Sequence, residues 1–196
     1  MDLFVKWAQR RHGWVQRLVA LLLAGVVVVA LIPYLLIDAG LALDARFGLA
    51  RLPLGVLRST LGLLLALPGM GLALWSIYVQ FVLAEGTPIP AMPTRKLVSV
   101  GPFACCRNPM SLGTILAYLG AALWSGSPGG ILVMLALSGL LLGYNKIVEE
   151  RELEARFGGE YVEYRRAAPF LIPRLACVRQ RLGMAAQDEE VGPEVR

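Results

Sequence analysis

Two adjacent carboxylates, Glu149 and Glu150, follow directly on a long apolar stretch. A second segment, Gly101-Pro102-Phe103-Ala104-Cys105-Cys106-Arg107-Asn108-Pro109-Met110-Ser111-Leu112-Gly113, brings a turn, two prolines and a basic residue to the start of another. Carboxylates at the C-terminal end of a helix oppose its macrodipole, so either plain exposure to water or a bound cation has to account for them. Backbone groups freed near Pro109 need partners in protein or ligand, because lipid offers none. Asn145 lies one turn before Glu149 and shares its helix face. These residues predict a polar pocket at membrane depth, suited to a cationic ligand. The other reactive side chains offer less. His12 is the single histidine and lies beside Arg10 and Arg11, and Cys105, Cys106 and Cys177 form no C-x-x-C pair. A metal site is therefore not expected, nor is a cysteine nucleophile without a histidine partner.

The elements that must position these groups are membrane helices. Hydrophobic residues make up 57% of the 196 and charged residues 17%, with a mean hydropathy of +0.62. Globular chains average roughly 45–50% and about 25%. That composition excludes a disordered chain and disfavours a water-soluble globule. Charge-free windows run over Leu18–Ile37, Ser59–Ala84 and Asn108–Asn145. About 20 helical residues cross a bilayer core, so the first two windows each span once. The third is too long for one helix and contains Gly126-Ser127-Pro128-Gly129-Gly130, which is turn chemistry. It predicts a tight helical hairpin. The first window exceeds a secretory apolar core and lacks a clear small-residue cleavage site, so it is expected to be retained.

Of the 19 Lys and Arg residues, only Arg46, Arg51 and Arg58 fall on the side opposite the N-terminus. The positive-inside rule then places both termini in the cytoplasm. The net charge of +5 fits attraction to anionic lipid head groups and calls for no nucleic acid, for which no motif is present. All three cysteines fall on the cytoplasmic side, where reducing conditions argue against structural disulfides. No internal repeat is found. Gly86-Thr87-Pro88-Ile89-Pro90 and Pro93 make the loop before the hairpin extended and stiff.

The tail changes character at Lys146. Leu153, Phe157, Tyr161, Tyr164 and Ala168 recur at helical spacing, interrupted by Gly158-Gly159, while Glu154, Arg156, Glu163 and Arg166 occupy the opposite face. This predicts an amphipathic interfacial helix closing over the helix ends. Pro169 ends it, and Phe170-Leu171-Ile172-Pro173 is expected to dip back into the interface. The fold class is thus all-α integral membrane, multi-pass, with about four transmembrane helices, the last two a tight hairpin, plus a C-terminal amphipathic helix.

Gly86-Thr87-Pro88-Ile89-Pro90, Leu97-Val98-Ser99-Val100-Gly101-Pro102-Phe103 and Arg107-Asn108-Pro109-Met110 together resemble the loop of the isoprenylcysteine carboxyl methyltransferase and phospholipid methyltransferase superfamily. The tail agrees in order and spacing through Glu149-Glu150, Leu153, Phe157-Gly158, Glu160-Tyr161, Tyr164, Pro169 and Ile172-Pro173-Arg174. Each motif is weak by itself, and the ordered set over residues 69–174 is specific. The resemblance implies an integral-membrane methyltransferase that uses S-adenosyl-L-methionine without a Rossmann domain, taking cofactor from the cytoplasm and a lipophilic acceptor through the bilayer. It implies cofactor contacts from Leu97, Val98, Phe103, Asn108, Pro109, Met110, Ser111 and Glu149. It also divides the chain into a basic cytoplasmic arm (1–17), helices one and two (18–84), a methyltransferase core (85–174) and a flexible tail (175–196).

Departures from the family pattern narrow the acceptor. Asn108 stands where many relatives carry His, Ser111 replaces a usual Tyr, and Ala104-Cys105 replaces the common Arg-Tyr. The carboxyl methyltransferases carry an Arg at the position of Asn145, which would hold a substrate carboxylate. Asn cannot make that charged bidentate contact. The expected acceptor is then a lipid-phase group such as a phospholipid amine, with Asn145 on the acceptor side and Glu150 as candidate base through water. The alternatives are a prenylcysteine-type carboxylate, a small thiol, or a catalytically degenerate membrane scaffold.

Overall fold

The computed structural model describes residues 13–84, 94, 96–174 and 177. Residues 1–12 of the expected basic arm and the Gly86–Pro90 segment fall outside them, as does most of the tail after Arg174, while residues 14–17 already belong to the first helix. The described residues are helical and contain no strand. Helix α1 runs Trp14–Phe47, α2 Gly55–Leu83, α3 Pro109–Ser125, α4 Pro128–Phe157 and α5 Gly159–Ala167. Three of these, α1, α2 and α4, are long and apolar enough to cross a membrane. At 17 residues α3 is the short arm of the hairpin that the sequence counts among its four crossings.

The packing is inside-out relative to a soluble bundle. Leu22, Leu64, Leu67 and Leu140 are each more than 60% exposed, while glycines occupy the seams. A Cβ on Gly69 would lie 2.6 Å from the backbone nitrogen of Ala117, one on Gly113 2.6 Å from that of Ala73, and one on Gly120 2.5 Å from that of Ala66. The backbones of α2 and α3 therefore touch. Small residues that allow this contact are how helices associate where lipid leaves little hydrophobic drive. Gly40 of α1 meets Gly130 of α4 in the same way, its Cβ position 2.4 Å from the Gly130 Cα. Helix α3 lies between α2 and α4, and α4 packs in turn on α1.

Both long outer helices carry a π-turn. In α1 it covers Val27–Leu31, just before Pro33, and the Tyr118 hydroxyl donates to the Val28 carbonyl there. Wider turns leave backbone carbonyls that need such a partner. Gly48, at φ 64°, ends α1 in the left-handed conformation that glycine accepts most easily. At the hairpin, the Ser127 hydroxyl accepts from Gly130 N at 2.8 Å and Asp44 Oδ1 accepts from Gly129 N at 2.7 Å. Both cap the N-terminus of α4.

Two expectations need correction. Glu149-Glu150 does not end the spanning helix: α4 continues through a π-turn at Asn145–Glu149 as far as Phe157. The chain then bends at Gly158 (φ 55°, ψ −127°), where the interruption was expected. The face bearing Tyr161 and Ala168 is buried against protein, with the Tyr164 hydroxyl donating to the Phe103 carbonyl at 2.8 Å. The second correction concerns the cysteines. After α5 the chain doubles back along the loop that precedes α3, which brings Cys177 to Cys105 at a Cα–Cα distance of 5.5 Å in a disulfide. The bond closes a sequence separation of 72 residues, and nothing in the spacing foretells that return.

Candidate active site

At the loop end of the hairpin, α2, α3, α4, α5 and the Thr94–Arg107 loop enclose a cavity of about 250 Å³. A small buried core of Val79, Ala84, Val98 and Phe103, with Tyr164 packed on it, sets the loop against the end of α2. A 3-10 turn at Gly101–Ala104 then turns Phe103 inward. Asn108 precedes α3, and Pro109 opens it at a position where a missing N–H costs nothing.

Leu97, Val98, Phe103, Asn108, Met110, Ser111, Asn145 and Glu149 all line this one cavity. Pro109 does not; it is fully buried behind the wall as the first residue of α3. Glu150 does not line it either. Glu150 is turned about 100° from Glu149 around the helix, towards Arg107 and Lys146. The Glu150 carboxylate is instead held by Arg107 Nη1 at 2.5 Å and Lys146 Nζ at 2.8 Å, with both members of the Arg107 pair 8% exposed.

Asn145 organises the inner end. With its amide turned so that both ends find partners, Oδ1 accepts from the Ser111 hydroxyl at 2.8 Å and Nδ2 donates to Glu149 Oε2 at 3.0 Å and the Leu141 carbonyl at 3.2 Å. Asn145 and Glu149, assigned by sequence to acceptor and cofactor sides, are thus in direct contact. A π-turn brings them there, a distortion that commonly marks functional positions in helices.

The walls divide by chemistry. Leu97, Val98, Phe103, Leu141 and Leu153 are apolar, and Glu149 and Glu152 bring carboxylates. Both lining arginines are engaged: Arg107 with Glu150, and Arg156 through donation to the Thr94 carbonyl. Gln80 also lines the cavity, and its Oε1 is buried with no hydrogen-bond partner among the described residues. Burial raises the Tyr164 phenol above its usual range and pushes the Cys106 thiol up to about 11, a hydrogen bond from the Asn108 backbone working in the opposite direction. Both stay protonated at neutral pH. An elongated cation with an apolar body and N–H donors fits these walls, and S-adenosyl-L-methionine is such a molecule.

The profile of the phospholipid methyltransferase family matches residues 57–160. The chain belongs to that family. This phospholipid methyltransferase family member is also 33% identical over 107 residues to methanethiol S-methyltransferase 2 of Bradyrhizobium diazoefficiens. That match covers 55% of the chain and 39% of the relative, so the chain spans about two fifths of the length of the curated protein it matches. No solved structure matches it significantly.

Several lining residues escape a motif reading, namely Gln80, Thr94, Leu141, Tyr144, Glu152 and Arg156, while Arg107, Leu153 and Tyr164 belong to the family-like motifs without having been assigned to the site. Part of this set was legible. Leu141, Asn145, Glu149, Glu152 and Arg156 recur at helical spacing and form a second stripe on α4, beside the apolar one that dominates the tail. Gln80 and Thr94 carried no such signal, because only the fold brings the end of α2 and the loop to this wall.

Proposed function

We propose that this membrane methyltransferase uses S-adenosyl-L-methionine and methylates a lipophilic acceptor reached through the bilayer. The observation that carries the reading is the Glu149 carboxylate, oriented by Asn145 and Ser111, at the inner end of a cavity with apolar walls. When bound, S-adenosyl-L-methionine supplies an activated methyl group on a sulfonium. Glu149 holds the ligand's positive end, while Leu97, Val98 and Phe103 take its apolar and aromatic part. Asn108, Met110 and Ser111 shape the slot from the start of α3, with Pro109 fixing the backbone behind them. Methyl transfer is an in-line displacement, so positioning and exclusion of water matter more than acid–base work.

A carboxylate acceptor is disfavoured because position 145 carries Asn, which cannot make a charged bidentate contact, and Arg107 is paired with Glu150. An uncharged amine or a thiol meets no such requirement, and a phospholipid amine is the first acceptor to test. Asn145 borders the acceptor side. Glu150 is bound by Arg107 and Lys146 and does not line the cavity, so its role in this reading is to hold Arg107 at the wall. A small thiol is the second reading, favoured by the name of the Bradyrhizobium diazoefficiens relative. The charge bias argues that the cavity end, with both termini, faces the cytoplasm.

The test is to incubate purified protein in lipid with methyl-labelled S-adenosyl-L-methionine and a total membrane extract. Label in the organic phase supports the lipid acceptor, and labelled volatile sulfide from added methanethiol supports the thiol. Cofactor binding with neither product removes both acceptors. No binding at all favours a catalytically degenerate scaffold.

A further inference from the structure

The disulfide lies where the cavity wall meets the returning chain. Cys105 is between Phe103 and Arg107, both of which line the cavity. Across from it runs a strap, Ala168–Arg174, pinned to the loop by three hydrogen bonds: Arg107 N to the Pro169 carbonyl at 2.9 Å, Asn108 Nδ2 to the Phe170 carbonyl at 2.9 Å, and Arg174 N to the Cys105 carbonyl at 3.4 Å. The Phe170 ring lies 5.7 Å from the Arg107 guanidinium and 5.2 Å from Lys146 Nζ, covering the two cations that hold Glu150. We propose that the Cys105–Cys177 disulfide is a reversible redox clip that fastens this strap to the wall of the cavity, so that the thiol state of the pair regulates how firmly the cofactor site is formed. The proposal rests on the cofactor reading above.

Two independent observations meet here. The disulfide is at the loop end of the hairpin, the end that the bias of Lys and Arg in the sequence assigns, by the positive-inside rule, to the cytoplasm. Disulfides in that compartment are mostly transient and redox-sensing. The bond also joins the two segments whose contact orients Arg107 and Asn108, so opening it acts on lining residues directly.

The exchange has a defined direction. Cys105 is buried and Cys177 is partly exposed, so an incoming thiolate reaches the Cys177 sulfur. A cellular dithiol reductant attacks there; the Cys105–Cys177 bond breaks, and Cys105 leaves as a thiolate that takes up a proton. The second thiol of the reductant then resolves the mixed disulfide. The reductant departs as a disulfide, and Cys105 and Cys177 become two thiols. The neighbouring Cys106 is 1% exposed, and its thiol pushed up to about 11 keeps it protonated, so it does not divert the exchange.

The test uses the full chain in lipid nanodiscs, oxidised and after dithiothreitol, beside Cys177→Ser. Two readouts are taken: hydrogen exchange of residues 101–108 and 168–174, and S-adenosyl-L-methionine affinity by calorimetry. Reduction and Cys177→Ser are both expected to speed exchange in these segments. Both are expected to weaken cofactor binding about three- to tenfold, because the competent conformation becomes only a fraction of the population. Dithiothreitol adds nothing to Cys177→Ser. Equal exchange in the two redox states overturns the proposal, as does a dithiothreitol effect that persists in Cys177→Ser, or an oxidised sample whose intact mass shows both thiols free. If the cofactor binds in neither state, the cofactor reading fails, while the exchange comparison still decides the clip.

Discussion

The two ends of the helical hairpin are built for opposite purposes. At the turn end, Asp44 and Ser127 hold the first N–H groups of α4, Arg58 Nη1 donates to the Ser125 carbonyl at 3.4 Å near the end of α3, and Gly40, Gly129 and Gly130 bring backbone against backbone. An anion at a helix start and a cation at a helix end both follow the macrodipole. At the loop end the same two helices carry a π-turn, a cavity of about 250 Å³, carboxylates within an apolar wall and an unpartnered Gln80 oxygen. One end is spent on stability and the other on a site. Substitutions should therefore separate: turn-end changes should alter stability and leave cofactor affinity alone, and cavity changes should do the reverse.

The sharpest way to break that contrast is Gly40→Leu. Its Cβ would lie 2.4 Å from the Gly130 Cα, and backbone cannot yield as a side-chain tip can. The expected result is loss of a monodisperse protein on size exclusion in detergent. Gly139→Leu, on α4, has nothing within 4 Å of its Cβ position and should behave as wild type. Equal tolerance at the two positions would refute the close α1–α4 seam.

At the other end, Glu149→Gln should weaken S-adenosyl-L-methionine binding about 10- to 100-fold, the loss expected for a charge-assisted contact worth roughly 1.5–3 kcal/mol. The melting temperature should not fall. Calorimetry on the folded variant decides it: unchanged affinity removes Glu149 from the site. Asp44→Asn is the mirror experiment. It removes the anionic cap on α4 and should cost about 1 kcal/mol of stability, visible as a lower melting temperature, with cofactor affinity intact. A loss of affinity without a loss of stability would show that the two ends are coupled.

How far the sequence reached depends on what each feature rests on. The charge-free windows and the Ser-Pro-Gly-Gly turn made the helices and their hairpin legible, since bilayer thickness and proline and glycine geometry act locally. Leu97, Val98, Phe103, Asn108, Met110, Ser111, Asn145 and Glu149 were legible as motif residues and share one cavity. Glu150 shows the boundary of such reasoning. It was expected as a base through water beside Glu149, but Arg107 and Lys146 hold it outside the cavity. The π-turn at Asn145–Glu149, which carries α4 on to Phe157, left no mark in composition. Nor did the return of Cys177 to Cys105, which depends on the strap's hydrogen bonds to Arg107 and Asn108.

Between the two ends in magnitude stands Asn145→Ala, expected to weaken cofactor binding about fivefold, the effect of losing one net hydrogen bond of roughly 1 kcal/mol that orients Glu149. A further effect concerns pH and belongs to the loop end alone. Burial raises the Cys106 thiol from 9.0 to about 11, so the folded chain keeps a proton that the unfolded chain gives up earlier. A group raised in the folded state contributes stability that is complete below the unfolded value and is lost as pH climbs through the folded one. The protein should therefore lose stability between about pH 9 and 11. Cys106→Ala should flatten that part of the profile while lowering the whole curve slightly, because it leaves a small void. Thermal melts of both proteins across this window, in one detergent and with the disulfide intact, measure the difference. Parallel profiles would mean that Cys106 does not titrate with unfolding, and that the loop around it opens to water before the rest of the chain.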